Sequence, residues 1–417
     1  MCGFVASSLS IAGLSARVRG PDETVVQAID GAHIVHHLLH LTGAYTPQPF
    51  RQGDRWCVFN GEVYNYRSLG DYPTDGACLL DAYREHGLDF ARYLDGEFAI
   101  VIKEPDALVV ATDPFATKPL HVGFAGGHWC AASYASDLTV PGSRVPGNTV
   151  RRYALDGRLL EERTVVDWDL TQHKGGTEDW IRAFKASIAK RAHARTFIGL
   201  SSGYDSGAIS CELTRQQAPF TAFSVVNNEA MGVLEARFDR IADVDAFAMS
   251  EDEFQRWTNE LKGAEDFKYK DRFKDYDYKQ DQAAIGLSAI CHRANQRGLR
   301  VYLSGQGADE ILSDYGFAGK KHFNHSEFGG LWPETPRLWH SFADGTQIQY
   351  LNKEEYTAGH FGIEARYPFL DRDLVQEFLW LTPAVKNRQY KSPLHDYLAL
   401  HDWPFEKGAK RGFSCHK

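Results

Sequence analysis

The chain has 417 residues, 43% of them hydrophobic and 24% charged, with a formal net charge of -9 at pH 7. That length holds two or three domains with sizeable cores, and the balance is that of an ordinary soluble globular protein. The acidic sign and the lack of a basic stripe with interleaved aromatics exclude a protein built to coat nucleic acid, and no apolar run is long enough to span a membrane. Cys2, Cys57, Cys78, Cys130, Cys211, Cys291 and Cys415 are scattered, odd in number and free of C-x-x-C pairs. They form neither a disulfide framework nor a zinc site, and they point to a reducing compartment. The N-terminus lacks the basic-then-apolar pattern of a signal peptide, so the cytoplasm is the expected location.

The chain opens Met-Cys-Gly-Phe-Val-Ala, a short β-run. Removal of Met1 places a thiol and an α-amine on Cys2, and an amine with a pKa of about 7.7–8.0 can act as base for its own thiol. A His-rich apolar segment follows at 32–41. The strand from Trp56 then runs into Asn60-Gly61-Glu62. Asn-Gly is a hairpin signal, yet the Asn60 amide and the Gly61 N–H are also two donors suited to an oxyanion. A helix is predicted over 77–86, and strands over 94–102 and 108–111, punctuated by Gly, Pro and Asp. The pattern describes a β-rich domain with two sheets. Gly147, Gly175 and Gly176 mark the exit from it, so the domains are expected at 1–167 and 177–417.

A helix-like segment from Thr177 to Arg191 leads to Thr196–Ile209. Phe197, Ile198 and Leu200 form an apolar strand, Ser201 to Gly207 a small-residue turn, and a helix resumes at Ala208. Strand, glycine turn and helix start expose backbone N–H groups that favour phosphate. Asp205 fits such an anion pocket only if a cation lies between, which points to a nucleotide with Mg2+. A plain turn capped by Asp205 is the other reading. β-runs at 220–226 and 299–303 follow, and the second ends in Ser304-Gly-Gln-Gly-Ala-Asp309-Glu. Alternating strands and helices predict a doubly wound parallel sheet with ligands at the strands' carboxyl ends. Asp205 and Asp309 could there share one Mg2+.

Cys2-Gly3, Arg19-Gly20-Pro21-Asp22, Asn60-Gly61-Glu62, Asp75, Asp95 to Ala99 and Asp113…Lys118-Pro119-Leu120 occur in order. They resemble the class II glutamine amidotransferase domain of the asparagine synthetase family. Ser201-Ser-Gly-Tyr-Asp-Ser206 resembles the S-G-G-x-D-S loop of N-type ATP pyrophosphatases, and Ser304 to Glu310 the family's S-G-E-G-x-D-E. Gly362 to Asp371, Lys391-Ser-Pro-Leu and Lys410-Arg-Gly-Phe413 match its later segments. The resemblance implies an α/β protein: an Ntn-hydrolase-type αββα sandwich followed by an ATP pyrophosphatase domain. It implies that Cys2 attacks glutamine, that Asn60 and Gly61 hold the oxyanion, and that Glu62 and Asp75 bind the α-amino group. Ser201, Gly203, Asp205 and Ser206 would take the pyrophosphate end of ATP, and Leu200, Val225, Ser304 and Gly305 would lie along the nucleotide. Asp205 and Asp309 would hold Mg2+, and Lys391 would stabilise charge on the phosphates. The implied partners are glutamine, ATP and a carboxylate acceptor, with neither nucleic acid nor membrane; a homodimer stays open. Glu364 and Arg366 read as a structural pair, and Asp371 as a helix cap.

Several residues depart from the family pattern. Where it has Arg-Leu-Ser for the glutamine carboxylate, this chain has Leu38-Leu39-His40-Leu41, so His36, His37, His40 or another basic residue must substitute, or glutamine binds weakly. Thr112 replaces an Arg, Ala116 a Gly and Ser202 a Gly. The E-x-Y-D segment reads Lys274-Asp-Tyr276-Asp277, which puts Lys where Glu is expected, with Tyr276 or Tyr278 relevant if the register slips. The second domain is also shorter than usual. The expected activity is glutamine- and ATP-dependent carboxamide formation on an acceptor other than free aspartate, such as a biosynthetic intermediate or sugar acid. True asparagine synthesis, intramolecular lactam formation and a non-enzymatic glutamine or nucleotide sensor are the alternatives.

Overall fold

The computed structural model describes residues 2–11, 15–227, 229–265, 268–271, 274–323, 325–409 and 415, with only the backbone at 268–271 and 274–276. The chain divides into two compact units, Met1–Asp167 with Gly359–Gly362, and Trp168–Ala358 with Ile363–Lys417.

The first unit holds two six-stranded sheets. Its strands are β1 (Gly3–Ser7), β2 (Glu23–Ile29), β3 (Ala32–Leu38), β4 (Phe50–Gln52), β5 (Arg55–Val63), β6 (Gly96–Lys103), β7 (Ala107–Thr112), β8 (His121–Ala125), β9 (His128–Ala132), β10 (Gly142–Arg144), β11 (Thr149–Ala154) and β12 (Leu159–Thr164). One sheet runs β10-β8-β9-β1-β3-β2, the other β12-β11-β7-β6-β5-β4. Alternation along a strand sends successive side chains to opposite faces. Phe4, Ala6, Ile34, Trp56, Val58, Ala99 and Val101 therefore meet in one layer between the sheets. Cys57, Phe59, Phe98 and Ile100 face outward, against α2 (Leu79–His86), which follows the short α1 (Tyr66–Leu69).

The second unit is built on a five-stranded parallel sheet in the order β15-β14-β13-β18-β21. These are Thr196–Gly199 (β13), Phe220–Val225 (β14), Val244–Phe247 (β15), Val301–Leu303 (β18) and Glu364–Arg366 (β21); β16 (Lys268–Asp271) with β17 (Lys274–Asp277), and β19 (Gly316–Phe317) with β20 (Lys320–Lys321), form separate hairpins. The helices are α3 (Glu178–Arg191), α4 (Tyr204–Arg215), α5 (Met231–Phe238), α6 (Glu251–Glu260), α7 (Gln282–Gln296), α8 (Ala308–Leu312), α9 (His340–Ala343), α10 (Thr346–His360), α11 (Arg372–Trp380), α12 (Pro383–Lys386) and α13 (Ser392–Leu400). α3 buries Trp180, Ile181, Phe184 and Ile188 at helical spacing. Chain order reverses between β13 and β18, and such a switch point is the position at which doubly wound sheets bind ligands. No helix of the described residues is long and apolar enough to cross a membrane.

The structure changes two local expectations. Asn60-Gly61 is no hairpin turn: both residues lie within β5, paired with Ala99 and Phe98. The helix after β13 starts at Tyr204 rather than Ala208, because Gly203 takes the N-cap position and places Asp205 and Ser206 in the first turn. Glu364 and Arg366 do form a buried pair at 2.7 Å. Asp371 caps α11, accepting from the Asp373 and Leu374 amides, and is also held by Arg191 and Lys190.

Candidate active site

In the first unit, Cys2 is buried beside β3, its Sγ donating to the Leu39 carbonyl at 4.0 Å. Arg19, also buried, donates from Nε to the Cys2 carbonyl (3.0 Å) and from Nη1 to the Tyr134 hydroxyl (3.2 Å). The Arg-Gly-Pro-Asp run marks this residue, but its work, fixing the backbone that carries the thiol, is visible only in three dimensions. Asn60 is fully buried, and among the described residues neither its Nδ2 nor its Oδ1 has a hydrogen-bond partner. Such an orphaned amide is costly and suits a group waiting for a ligand. Gly61 has φ +135°, and a Cβ there would lie 1.9 Å from the Glu97 carbonyl, so only glycine fits. Glu62 accepts from Thr42 Oγ1 at 2.5 Å, while Asp75 accepts from the Val63 amide at 3.0 Å and from Thr74 Oγ1 at 3.1 Å. Asp75 therefore also holds the loop that follows β5.

Two of the three proposed histidine substitutes, His36 and His37, are kept neutral by burial. Burial, with a push from His37, lowers His36 to about 3; burial, with Arg17, lowers His37 to about 4. His40 Nε2 meets the Gly43 carbonyl at 3.0 Å. A cation in this region is Arg67, which lines a cleft of about 570 Å3 with Gly43, Ala44, Tyr72 and Pro73. Thr42, one residue from that lining, is the partner of Glu62.

In the second unit, the loops after β13 and β18 meet: a Cβ on Gly305 would lie 3.0 Å from Asp205 Cβ. Lys391, the N-cap residue of α13 with φ +46°, extends its ammonium between them. Its Nζ lies 2.7 and 2.8 Å from the two Asp205 oxygens and 2.9 Å from Asp309 Oδ1. Burial alone would depress this amine, but Asp205, Asp309 and Tyr390 outweigh it and hold it well above the ordinary lysine value. Tyr390 donates its hydroxyl to Asp309 at 3.1 Å. Around them opens a cleft of about 460 Å3, lined by Ser201, Asp205, Ser206, Ser304, Gly305 and Asp309 among others. Leu200, Gly203 and Val225 are not part of that lining; Leu200 and Val225 are buried at their strand ends.

Two supports of the turn were not apparent in the sequence. Arg237, fully buried, donates from Nη1 to the carbonyls of Ser201 and, at 2.9 Å, Gly203, and from Nε to that of Pro404. Burial lowers this guanidinium to about 10. Glu229 accepts from the Ser202 amide (2.7 Å) and hydroxyl. Beyond Asp309 the cleft is walled by Tyr315, Phe323 and Tyr350 and contains Lys353, whose Nζ sits 4.3 Å from the Tyr350 ring centroid and 3.4 Å from Asp281. Asp281 also caps α7, accepting from the Ala283 and Ala284 amides. Glu354 accepts from Ser304 Oγ at 2.6 Å, and burial lifts it to about 7. Burial and Asp309 likewise raise Glu310 to about 7. In the same unit, Lys386 donates to Gln172 and the Leu379 carbonyl, and burial lowers it to about 7. Lys274 and Tyr276 have side chains outside the described residues, as do Lys410 to Phe413 entirely; Tyr278 is buried against Tyr356.

Residues 6–165 match the glutamine amidotransferase domain family, and residues 179–358 the asparagine synthase family. A putative glutamine-hydrolysing asparagine synthetase of Methanocaldococcus jannaschii is 24% identical over 84% of this chain and 69% of its own. Asparagine synthetase 2 of Arabidopsis thaliana is 25% identical over 89% and 67%, and a probable asparagine synthetase of Schizosaccharomyces pombe 26% over 89% and 72%. A glutamine amidotransferase domain joined to a nucleotide-crevice domain defines an ATP-dependent ligase of glutamine-dependent amide synthesis. Within that class, the chain has the two-domain architecture of the asparagine synthetase family.

Proposed function

We propose that this chain converts a carboxylate larger than free aspartate into its carboxamide. Cys2 Sγ adds to the side-chain carbonyl of glutamine, Asn60 and Gly61 carry the oxyanion, and Glu62 and Asp75 take the α-amine. Ammonia leaves, and water hydrolyses the thioester to glutamate. In the second unit an acceptor carboxylate oxygen attacks the α-phosphorus of ATP and pyrophosphate departs. Ammonia then displaces AMP from the acyl-adenylate. Ser201, Asp205 and Ser206 face the pyrophosphate end, Ser304 and Gly305 lie along the nucleotide, Gly203, Leu200 and Val225 back the site from outside the cleft lining, and Lys391 offsets charge on the phosphates.

The observation that carries the ATP reading is the Lys391 ammonium clasped by Asp205 and Asp309 across the crevice. Because one ammonium already satisfies both carboxylates, they fit a shared Mg2+, which when bound would neutralise phosphate charge. The acceptor reading rests on the aromatic wall of Tyr315, Phe323 and Tyr350. A small zwitterion has no use for three rings, whereas Lys353 beside them suits a second anionic group on a ring-bearing or extended body.

The test is a screen of carboxylates, aspartate first, for AMP and pyrophosphate. Cys2→Ala is expected to abolish glutamine-dependent product and spare ammonia-dependent synthesis; survival of both would remove the first unit as nitrogen source. Asp205→Asn or Asp309→Asn is expected to stop pyrophosphate release. ADP as product would overturn adenylylation, and aspartate as the best acceptor would make the chain a true asparagine synthetase.

A further inference from the structure

The layer between the two sheets of the first unit ends in a polar patch. On β1, Phe4 and Ala6 point into the layer while Val5 faces the outer cluster, so alternation turns Cys2 inward. On β3, Ala32 and Ile34 point inward, and His36 continues that row. On β5, Trp56 and Val58 point inward and Cys57 and Phe59 outward, which places Asn60 inside. His36 lies directly opposite Phe4 in the β1–β3 ladder, making it a diagonal neighbour of Cys2. β1 packs against β5 across the layer, and the backbone of Phe59, next to Asn60, acts on the His36 ring without completing a hydrogen bond. His36 is fully buried, and among the described residues neither of its ring nitrogens has a hydrogen-bond partner. Two such orphaned polar side chains, His36 and Asn60, thus converge on the end of the layer where the Cys2 thiol lies. A buried polar group left unpaired is destabilising and requires a ligand or an ordered water.

We propose that His36 contacts the scissile carboxamide of glutamine, its ring accepting a hydrogen bond from the amide nitrogen while Asn60 and Gly61 take the oxygen. The inference rests on the reading of Cys2 as the glutaminase nucleophile. The S–C bond forms as the C–N bond breaks, and the thiol proton passes through the Cys2 α-amine to the departing nitrogen. The imidazole ends in the protonation state in which it began. A ring kept neutral by burial can accept from N–H, whereas the same lone pair repels a carboxylate oxygen. The contact therefore separates glutamine from the glutamate product.

His36→Phe retains a ring and removes both nitrogens, and His36→Gln restores a polar group. For His36→Phe, kcat/KM for glutamate release should fall on the order of tenfold or more, and inhibition by glutamate should strengthen relative to glutamine binding. Its melting temperature should hold or rise, because an unpaired buried polar group has been replaced by an apolar ring. His36→Gln should recover part of the loss. Unchanged kcat/KM in His36→Phe would overturn the inference. So would a loss accompanied by a lower melting temperature and no recovery in His36→Gln, the pattern of a packing residue. If the Phe variant does not fold, His36→Leu is read by the same criteria. Glutamate release that persists in Cys2→Ala would withdraw the glutaminase reading itself, whereas Cys2-dependent release indifferent to His36 withdraws only this inference.

Discussion

The glutamine carboxylate needs a positive partner, and the histidines closest to the family's arginine position cannot supply one. With His36 at about 3 and His37 at about 4, both are neutral at pH 7. Arg67 has the charge and the location, in a cleft whose lining adjoins Thr42 and through it Glu62. Its guanidinium donates to the Tyr66 hydroxyl at 3.1 Å and stays exposed. Arg67→Ala is expected to raise KM for glutamine on the order of tenfold, with kcat within a factor of two, as for loss of a charge-assisted contact made equally in ground and transition states. Steady-state glutamate release reads this directly, and a change confined to kcat would place the carboxylate elsewhere.

At the level of elements, the turn between β13 and α4 is shaped from below. Arg237 on α5 binds the Ser201 and Gly203 carbonyls and so fixes the orientation of those two peptide units. A Cβ on Gly207 would lie 2.3 Å from the Arg237 guanidinium, so the first turn of α4 and this side chain are fitted to each other. Arg237→Met should leave those carbonyls unpaired, costing about 2–4 kcal/mol of stability. ATP-dependent pyrophosphate release is expected to drop at least tenfold, while Cys2-dependent glutamate release is unchanged. Parallel assays of both activities with a denaturant titration check this; equal loss of both would mean general unfolding. Asn60-Gly61 teaches the converse lesson. Its dipeptide signal is that of a turn, yet the apolar run before it and the pairing with β6 override local preference and keep the chain extended.

For the whole molecule, acid should act on the two units differently. In the first, His36, His37 and His121 have folded pKa values of about 3, 4 and 4, below the ordinary 6.5. The unfolded chain binds more protons between those values, so this unit loses stability as pH falls from about 6.5 toward 4. In the second, Glu310 and Glu354 are raised to about 7 from 4.5, so the folded form holds the extra protons and their contribution fades as pH rises from 4.5 through 7. Between pH 7 and 5, brief proteolysis read by mass spectrometry should show cleavage rising several-fold within 1–167 and holding or falling within 168–417. The reverse order would contradict the buried, neutral histidines. The broad architecture was legible because it is written in short-range patterns: alternation for the sandwich, and strand–glycine–helix turns for the crevice. Cys2, Asn60, Gly61, Asp205, Asp309 and Lys391 could be named because each sits in a compact motif. Arg237, Glu229 and Arg67 could not, and His36 was named only as a substitute for an arginine, since these roles depend on contacts across many residues of chain and on whether a buried atom finds a partner.

Lys386 and Lys391 stand five positions apart, yet they should behave as different chemical species. Lys391, clasped by two carboxylates, keeps almost no free amine at neutral pH, so an acylating reagent should pass it by. Lys386, lowered to about 7, carries a lone pair on roughly half of the molecules at that pH, and only its burial shields it. A graded acylation experiment would therefore modify Lys386 as soon as the fold breathes. Lys391 would follow only after the carboxylates that hold its proton have been neutralised, which turns a geometry seen at rest into an order of covalent reactivity.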